Sequence, residues 1–277
     1  MVTPAQRHEV PAHLTSKGLS QRSACRWSGI SRSTARYRLQ QPARDAQAIT
    51  AMQPVMTQYP RFGYRRVAVL AQLSFKRAWR LWKQQGFAVQ PARVRRLRVS
   101  RRDDRPHQAM HRNHVWTYDI LYDRLADGRF FKTLSILDEF TRECLAIHVA
   151  PSIRANDVRA VLQRTMQHHG APQFLRSDNG SEFTATLVQQ WLHDQHVGAS
   201  FIEPGHPWQN GFIESFHGKF RDECLNREWF TTGHEAMIVI EQWRKEYNTQ
   251  RPHSALGYQT PAHMAALSTR QSDVTLV

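Results

Sequence analysis

The chain has 277 residues, of which 40% are hydrophobic, and it carries a formal net charge of +15 at pH 7. This length is enough for two domains, or for one domain with sizeable appendages. No run approaches the ~20 apolar residues that a membrane span requires, and the first residues contain no apolar signal segment. We therefore expect a soluble protein of the cytoplasm with no membrane partner. The cysteines are too few and too scattered for a disulfide framework; they are Cys25, Cys144 and Cys224.

The positive charge is concentrated in the first part of the chain. Residues 1–113 contain 23 Lys or Arg and 4 Asp or Glu, a formal charge of +19. Residues 114–277 contain 15 Lys or Arg and 19 Asp or Glu, a formal charge of −4. A basic half joined to a slightly acidic half is typical of a polyanion-binding arm attached to a separate module. An anionic membrane could attract the same charge, but the arm lacks a strongly amphipathic apolar face, which favours nucleic acid.

The first patterned segment predicts two short helices. Ser20 caps a helix that runs through Trp27, Gly29 ends it, and Ser31 caps a second helix. This is the pattern of a helix-turn-helix, and an ordinary helical hairpin would look the same. The +19 charge favours the DNA-binding interpretation. The second helix would then present four polar side chains to DNA: Arg32, Ser33, Arg36 and Arg38.

A second basic segment follows Pro42 and Pro54, which are predicted to break the chain. Residues 59–66 form an aromatic and basic turn that contains Arg65 and Arg66, and helical periodicity continues to Trp82. Arginines interleaved with aromatic rings suit contacts with a DNA backbone, although they could equally decorate a small core. Residues 93–112 predict a basic linker along phosphates, with the arginines Arg95, Arg96, Arg101 and Arg102. Within it, His107, His111 and His114 have a metal-like spacing, but solvated histidines are the better interpretation because no cysteine pair is near.

From residue 114 the pattern changes to a series of short β-rich runs and helices. Strands are expected over 114–122, 130–137, 144–149, 172–176 and 199–201, and helices over 152–169, 182–195 and 208–225. This order predicts an α/β layer structure on a mixed sheet. The predicted organisation is a helix-turn-helix region (1–45), a basic helical subdomain with an Arg-rich linker (46–113), a core with its closing segment (114–265) and a tail (266–277).

Three acidic residues carry the chemistry expected of this core. Asp119 lies within an apolar strand, Asp178 follows a strand before a tight Asn-Gly turn, and Glu214 lies on a helix. A buried carboxylate is costly unless something compensates it, and a metal ion would. For Asp123, Asp127, Asp138 and Glu139 we expect ordinary roles as turn caps or ion-pair partners.

The helix that contains Glu214 is predicted to be amphipathic. At ~100° per residue, its apolar side chains form one stripe, and the polar residues Asn210, Glu214, His217 and Arg221 form one flank. Two hard cations bridged by carboxylates and phosphate oxygens suit phosphodiester chemistry, and oxygen ligands favour Mg²⁺ or Mn²⁺ over zinc. The residues therefore predict a two-metal site that acts on nucleic acid.

Several motifs resemble those of one enzyme family. They are Trp116-x-x-Asp119, residues 177–183 beginning Ser-Asp-Asn-Gly, residues 207–226 around Glu214, and the segment 247–261 that begins Tyr-Asn-x-x-Arg-Pro-His. In combination they closely resemble transposases of bacterial insertion sequences, of the second-reading-frame (OrfB) type with a retroviral-integrase-like core. The helix-turn-helix and the Phe62–Arg66 segment are similar to the upstream subdomains of that family. Between Val67 and Lys76 the chain is several residues shorter than the family pattern.

The resemblance implies an RNase H-like catalytic core with a DDE triad of Asp119, Asp178 and Glu214. It implies cleavage that exposes a 3′-hydroxyl, which then attacks another phosphodiester of double-stranded DNA. It further implies homo-oligomers that hold two element ends, an upstream-frame (OrfA) partner or fusion, and association with the nucleoid. Contacts with DNA or phosphate near the triad are expected from Asn179, Asn210, His217, Lys219 and Arg221. A metal-dependent nuclease on the same fold and a DNA-binding relic are the two alternatives.

Overall fold

The computed structural model describes residues 4–36, 40–89, 107–203 and 205–274. The chain divides into two compact units, Met1–Gln53 and Pro54–Val277. None of the described helices is long and apolar enough to cross a membrane. Several predicted DNA contacts lie outside the described residues: Arg38, Arg95, Arg96, Arg101 and Arg102.

The first unit contains the predicted pair of short helices. They are α2 (Gln21–Ser28) and α3 (Arg32–Arg36), preceded by α1 (Pro4–Ser16). The Ser20 hydroxyl accepts a hydrogen bond from the Ser23 N–H at 3.2 Å. Gly29 ends α2 with a φ of 67°, a left-handed conformation that glycine adopts without a steric cost. Both predicted helix starts are confirmed, since the Ser31 hydroxyl accepts from the Thr34 N–H at 3.0 Å.

The prediction that two prolines break the chain is wrong. Pro42 and Pro54 both lie within one helix, α4 (Gln41–Gln58). Pro42 is in the first turn, where its missing N–H is not needed. Pro54 removes one hydrogen bond from the helix interior, yet the helix continues for four more residues, since an interior proline can be accommodated in a helix that continues beyond it.

The Tyr59–Arg66 segment leads into two helices rather than one. These are α5 (Tyr64–Leu70) and α6 (Phe75–Gln84). Gln72 interrupts them with a φ of 54°, and the Ser74 hydroxyl caps α6 by accepting from the Arg77 N–H. Before α5, the rings of Tyr59 and Phe62 stack with centroids 4.6 Å apart.

The second unit contains a five-stranded mixed sheet in the order β3-β2-β1-β4-β5. Strands β1 and β3 pair with β2 in antiparallel fashion, while β1, β4 and β5 pair in parallel. The strands are β1 (Val115–Arg124), β2 (Phe130–Asp138), β3 (Cys144–Ala150), β4 (Phe174–Ser177) and β5 (Gly198–Phe201). All five predicted strands are confirmed.

Helices cover both faces of this sheet. They are α7 (Ala155–His169), α8 (Ser181–Thr184), α9 (Thr186–Asp194), α10 (Gly211–Glu223), α11 (Gly233–Thr249) and α12 (Pro261–Val274). One hydrophobic core contains Trp116 and Tyr118 of β1 with apolar residues of α7 and α9. The other contains residues of α10 and α11, and Leu121 of β1 packs against it. Because side chains alternate along a strand, Asp119 belongs to the α10 face.

The helix expected over 182–195 is a helix pair in the structure. Ala185 leaves the helical conformation with a ψ of 131°, which separates α8 from α9. The extra non-helical residue rotates α9, so Val188 is buried while Leu187 is 40% exposed. Phe183 anchors α8 by packing edge-on against Tyr118, with ring centroids 4.4 Å apart. The pattern of the sequence gave no sign of this break because Ala185 is itself a good helix former.

The ordinary roles expected for four carboxylates are confirmed. Asp138 caps the β2–β3 turn by accepting from the N–H groups of Phe140 and Thr141. Glu139 forms an ion pair at 2.8 Å with Arg176, and both side chains are almost fully buried. Asp123 and Asp127 accept bonds from neighbouring backbone N–H groups on the exposed surface.

Candidate active site

The three predicted catalytic carboxylates lie on three different elements of the second unit. Asp119 is in the middle of β1, Asp178 directly follows β4, and Glu214 is in the first turn of α10. Strands β1 and β4 are adjacent and parallel, so the end of β4 lies beside β1. The fold therefore brings together residues that are 59 and 36 positions apart in the sequence.

Asp119 has an unusual environment for a carboxylate. Its Oδ1 accepts a hydrogen bond from the Ile120 N–H at 2.7 Å, and 23% of its side chain is exposed. Burial, together with the negative charges of Asp178 and Glu214, raises the pKa of Asp119 to about 7 against the lowering effect of the Ile120 hydrogen bond. Asp119 is thus close enough to Asp178 and Glu214 for both negative charges to act on it. Such a cluster of like charges favours either a proton or a cation.

The turn after β4 holds Asp178 in place. Its Oδ1 accepts from the Gly180 N–H at 3.0 Å, as expected of an Asp before a tight turn. A Cβ at position 180 would lie 3.1 Å from the same oxygen, so glycine leaves this carboxylate room. Asn179 donates to the Ile202 carbonyl at 3.1 Å and thereby ties the turn to the end of β5.

Helix α10 presents Glu214, His217 and Arg221 on one side. His217 Nδ1 lies 3.5 Å from Asp119 Oδ2, and its side chain is 9% exposed. Burial, followed by the charge of Arg221, lowers the pKa of His217 to about 4, so the imidazole is neutral at pH 7. Burial also raises the pKa of Glu214. Arg221 lies two turns beyond Glu214 and donates to the Tyr122 carbonyl at 3.4 Å.

Two other residues predicted to contact DNA near the triad have different surroundings. Asn210 is 5% exposed and its Oδ1 accepts a hydrogen bond from the Thr117 hydroxyl at 2.8 Å, which joins the start of α10 to β1. Lys219 is about 140° around α10 from Glu214. It lines a separate cavity with Arg142 and His253.

A buried polar network beneath the carboxylates was not found by sequence reasoning. The Arg176 guanidinium, in the strand that leads to Asp178, donates to Glu139 at 2.8 Å and to the His107 carbonyl at 2.7 Å. Gln209 accepts from the Glu203 N–H at 2.9 Å. The available signal was an arginine inside a strand that is otherwise buried, since such a charge requires a partner.

The predicted DNA-binding arginines that are described lie in both units. Arg32 is exposed at the start of α3, and Arg36 ends that helix. Arg65 is exposed beside the Tyr64 ring, whereas Arg66 is partly buried and donates to the Pro252 carbonyl at 3.3 Å. Arg66 is thus hydrogen-bonded to the closing segment of the core, residues 247–261.

The donor chemistry of the three carboxylates fits a hard divalent cation. All donors are oxygens, and their mutual repulsion would be relieved by positive charge. In the described part of the chain, no three His, Cys, Asp or Glu side chains already form a group that could hold a metal ion.

Comparison with known proteins assigns the chain to a family. Two family models, both described as the integrase core domain, match residues 109–207 and 195–261. The chain is 40% identical over 255 residues to the "Insertion element IS407 uncharacterized 31.7 kDa protein" of Burkholderia multivorans, which covers 90% of this chain and 91% of the relative. It is 38% identical to the "Insertion element IS476 uncharacterized 39.2 kDa protein" of Xanthomonas euvesicatoria, over 94% of this chain and 77% of the relative.

One similar solved structure is the HTLV-2 integrase catalytic core domain in complex with magnesium. It has 16% sequence identity and a TM-score of 0.43, and the match covers 57% of this chain and 99% of that chain. The mixed sheet with helices on both faces and the matched core domains define an RNase H-like polynucleotidyl transferase of the DDE class. The chain belongs to the family of insertion-sequence transposases with a retroviral-integrase-like core. This confirms the predicted fold class and the predicted transposase function, and membership implies a divalent metal cofactor and DNA as the substrate.

Proposed function

We propose that Asp119, Asp178 and Glu214 are the catalytic triad with which this transposase cleaves element ends and transfers the exposed 3′-hydroxyl to target DNA. The observation that carries this assignment is the placement of the three residues: β4 ends before Asp178 beside β1, and α10, which contains Glu214, brings His217 to 3.5 Å from Asp119. The charges of Asp178 and Glu214 also both raise the pKa of Asp119. A carboxylate with a structural role does not need neighbours of the same charge. Asp138 accepts hydrogen bonds from N–H donors, and Glu139 is paired with a positive charge.

The three carboxylates would hold Mg²⁺ or Mn²⁺, with two ions as the proposed number. When bound, such cations neutralise phosphate charge and stabilise the attacking and leaving oxygens of an in-line displacement. The protein side chains fix the position of the DNA. Asp119 is held by the sheet and Asp178 by its turn, so these two ligands are rigid, while Glu214 is exposed on α10 and closes the set.

His217 and Arg221 act beside the triad. The neutral His217 imidazole has its Nδ1 at 3.5 Å from Asp119 Oδ2, where an Nδ1–H would orient that carboxylate without adding charge. Arg221 lies two turns along the same face of α10, where its guanidinium contacts the DNA backbone next to the reacting phosphate. Asn179 and Asn210 support the site through the backbone turn and the helix start that they hold.

The basic residues outside the core provide affinity for DNA. Arg32, Arg36, Arg65 and Arg66 contact phosphates, and they act without base recognition unless α3 enters a groove. The working enzyme is a homo-oligomer that holds two element ends, and an upstream-frame product supplies a further DNA-binding helix-turn-helix. The charge of +19 in residues 1–113 supports the proposed affinity for DNA.

A strand-joining assay tests the proposal. The full chain is incubated with labelled DNA that carries the element ends, in Mg²⁺ and in Mn²⁺, and is compared with Glu214→Gln and Glu228→Gln. We expect metal-dependent joined products from the wild type and from the control, because Glu228 is exposed outside the site. We expect none from Glu214→Gln. Joined products from that variant at the wild-type rate would show that the triad is wrongly assigned.

Two other outcomes identify the alternatives. Cleavage without joined products would indicate a nuclease rather than a transposase. Binding without chemistry in either metal would indicate a DNA-binding relic.

A further inference from the structure

A cavity of about 260 Å³ lies behind α10, away from the catalytic carboxylates. Its wall includes three side chains that carry nitrogen and three aromatic rings: Arg142, Lys219, His253, Phe212, Phe216 and Tyr247. This volume exceeds the ~30 Å³ share of one water molecule, so it has room for a polyatomic ligand. The three nitrogen-bearing residues come from the β2–β3 turn, from α10 and from the closing segment.

Each of the three polar residues is held in position by the fold. Arg142 has a left-handed φ of 63° in the β2–β3 turn, and its guanidinium lies 3.6 Å from the centroid of the Phe212 ring. The Lys219 ammonium donates to the Ser215 carbonyl and hydroxyl at 2.8 and 2.6 Å, which leaves its third hydrogen for another acceptor. His253 is 8% exposed, and its buried Nδ1 has no hydrogen-bond partner within the described residues.

The surroundings of the cavity are strongly positive. Arg251, two residues before His253, is 3% exposed and forms a two-bond ion pair with Glu223 at 2.6 and 2.5 Å. Burial, together with the charges of Arg251, Arg66 and Arg142, lowers the pKa of Lys219 to about 8 against the opposing effect of Glu223. Four cations therefore surround this region, and Glu223 already has a partner.

We propose that this cavity binds a phosphate group, held by the Lys219 ammonium, the Arg142 guanidinium and an N–H of His253. The buried, unpartnered Nδ1 of His253, in the tautomer that carries its proton there, is satisfied by an oxyanion beside two cations, because an anion supplies both acceptor atoms and counter-charge. A phosphate fits better than a carboxylate because it offers more oxygens and more charge to three separate donors. The source is either a DNA backbone phosphate or a free phosphate, and the site does not depend on the catalytic triad.

Thermal unfolding with inorganic pyrophosphate tests the site directly. The full chain is heated without divalent metal, in increasing pyrophosphate, against sodium chloride of the same ionic strength. We expect a saturable rise in Tm of about 3 °C for the wild type. Lys219→Gln should lose this rise and Lys219→Arg should keep it. The control Lys245→Gln removes the same charge from an exposed lysine and should behave as the wild type.

The proposal is overturned by either of two results. One is a wild-type shift no larger than in chloride, and the other is an equal shift in Lys219→Gln. If Lys219→Gln fails to fold, His253→Leu replaces it, since leucine has no hydrogen-bond donor and thus removes one from the same wall. None of these readouts involves strand transfer, so a failed phosphate site and a failed triad assignment are distinguishable.

Binding of duplex DNA, followed by fluorescence anisotropy against salt, identifies the source of the phosphate. If a backbone phosphate occupies the cavity, Lys219→Gln should lower the slope of log affinity against log salt by about 1. Pyrophosphate should then compete with DNA beyond its effect on ionic strength. If the slope is unchanged and pyrophosphate does not compete, while the Tm shift persists, the ligand is a free phosphate.

Discussion

Helix α10 separates two clusters of like charge. One cluster is negative and consists of Asp119, Asp178 and Glu214. The charges of Asp178 and Glu214 both raise the pKa of Asp119. On the other side, Lys219 lies among Arg66, Arg142 and Arg251. Glu223 pairs with Arg251 in the positive cluster, yet each cluster keeps an excess of one charge sign, which is why we propose a divalent cation for the first and a phosphate group for the second.

In a third group of charged residues, each buried charge has a partner within the protein. Arg176 and Glu139 are 0% and 1% exposed and form a direct ion pair. Asp138 next to them accepts several N–H bonds. These residues are more deeply buried than Asp119, yet they are satisfied by the protein itself. Burial alone therefore does not identify a functional carboxylate, whereas burial without a counter-charge does.

The largest effect is expected from Asp119→Asn. This change keeps the shape of the side chain and removes the charge on which the cluster is centred, so strand transfer should fall by at least ~10³-fold, or about 4 kcal/mol of transition-state stabilisation. The fold should be retained, because removing a buried negative charge relieves repulsion. Single-turnover strand joining and urea unfolding measure the two effects.

The control for this change is Asp127→Asn, a loss of the same charge at an exposed turn. It should leave strand joining unchanged. Activity of Asp119→Asn within tenfold of the wild type would show that Asp119 does not take part in catalysis. The cluster of Asp119, Asp178 and Glu214 would then have no assigned function.

The Arg176–Glu139 ion pair should respond in the opposite way. Breaking it should lower the stability of the fold, and not the rate of strand transfer. Glu139→Gln leaves the Arg176 guanidinium buried without its counter-charge, so we expect the free energy of unfolding to fall by about 3 kcal/mol. Urea denaturation measures this loss. The double variant Glu139→Leu with Arg176→Met should recover part of it, since neither charge is then buried.

A loss below about 1 kcal/mol in Glu139→Gln would contradict the contrast drawn between the balanced and unbalanced groups. It would mean that the Arg176 charge is satisfied by its carbonyl contacts alone.

Much of this architecture could be predicted from the sequence, because local patterns determine the elements. The strands, the caps at Ser20 and Ser31 and the apolar stripe of Ile213, Phe216 and Phe220 all follow from residue periodicity and short-range bonds. The three carboxylates were recognisable because each interrupts or ends an apolar run. Their assignment as the triad stays a prediction.

Other features could not be read from local patterns. The break at Ala185 follows Phe183, which packs against a strand more than 60 residues earlier. The Arg176 pair joins residues 37 positions apart, and the cavity behind α10 combines the turn at Arg142 with residues near 219 and 253. The continuous helix through Pro54 shows that a residue preference can be outweighed by its neighbours.

The smallest of the expected effects is the pH dependence of stability that arises from His253, which lies among the positive charges behind α10. Burial, and then the charges of Arg251, Lys219, Arg142 and Arg66, lower the pKa of His253 from its ordinary value of 6.5 to about 3. Below pH 6.5 the unfolded chain therefore binds a proton that the folded protein does not bind until about pH 3. The free energy of unfolding should fall as the pH falls through this window, by about 2 kcal/mol at pH 5 from this residue.

His253→Gln should remove this contribution, because glutamine has no proton to gain. Urea denaturation at pH 7 and pH 5 measures the difference between wild type and variant, and the exposed His263→Gln is the matched control. Phosphate bound in the rear cavity would raise the pKa of His253 by adding negative charge, so the pH dependence should shrink in pyrophosphate. Parallel pH profiles for wild type and His253→Gln would mean that the imidazole is not confined among cations, and the two sides of α10 would then no longer be electrostatic counterparts.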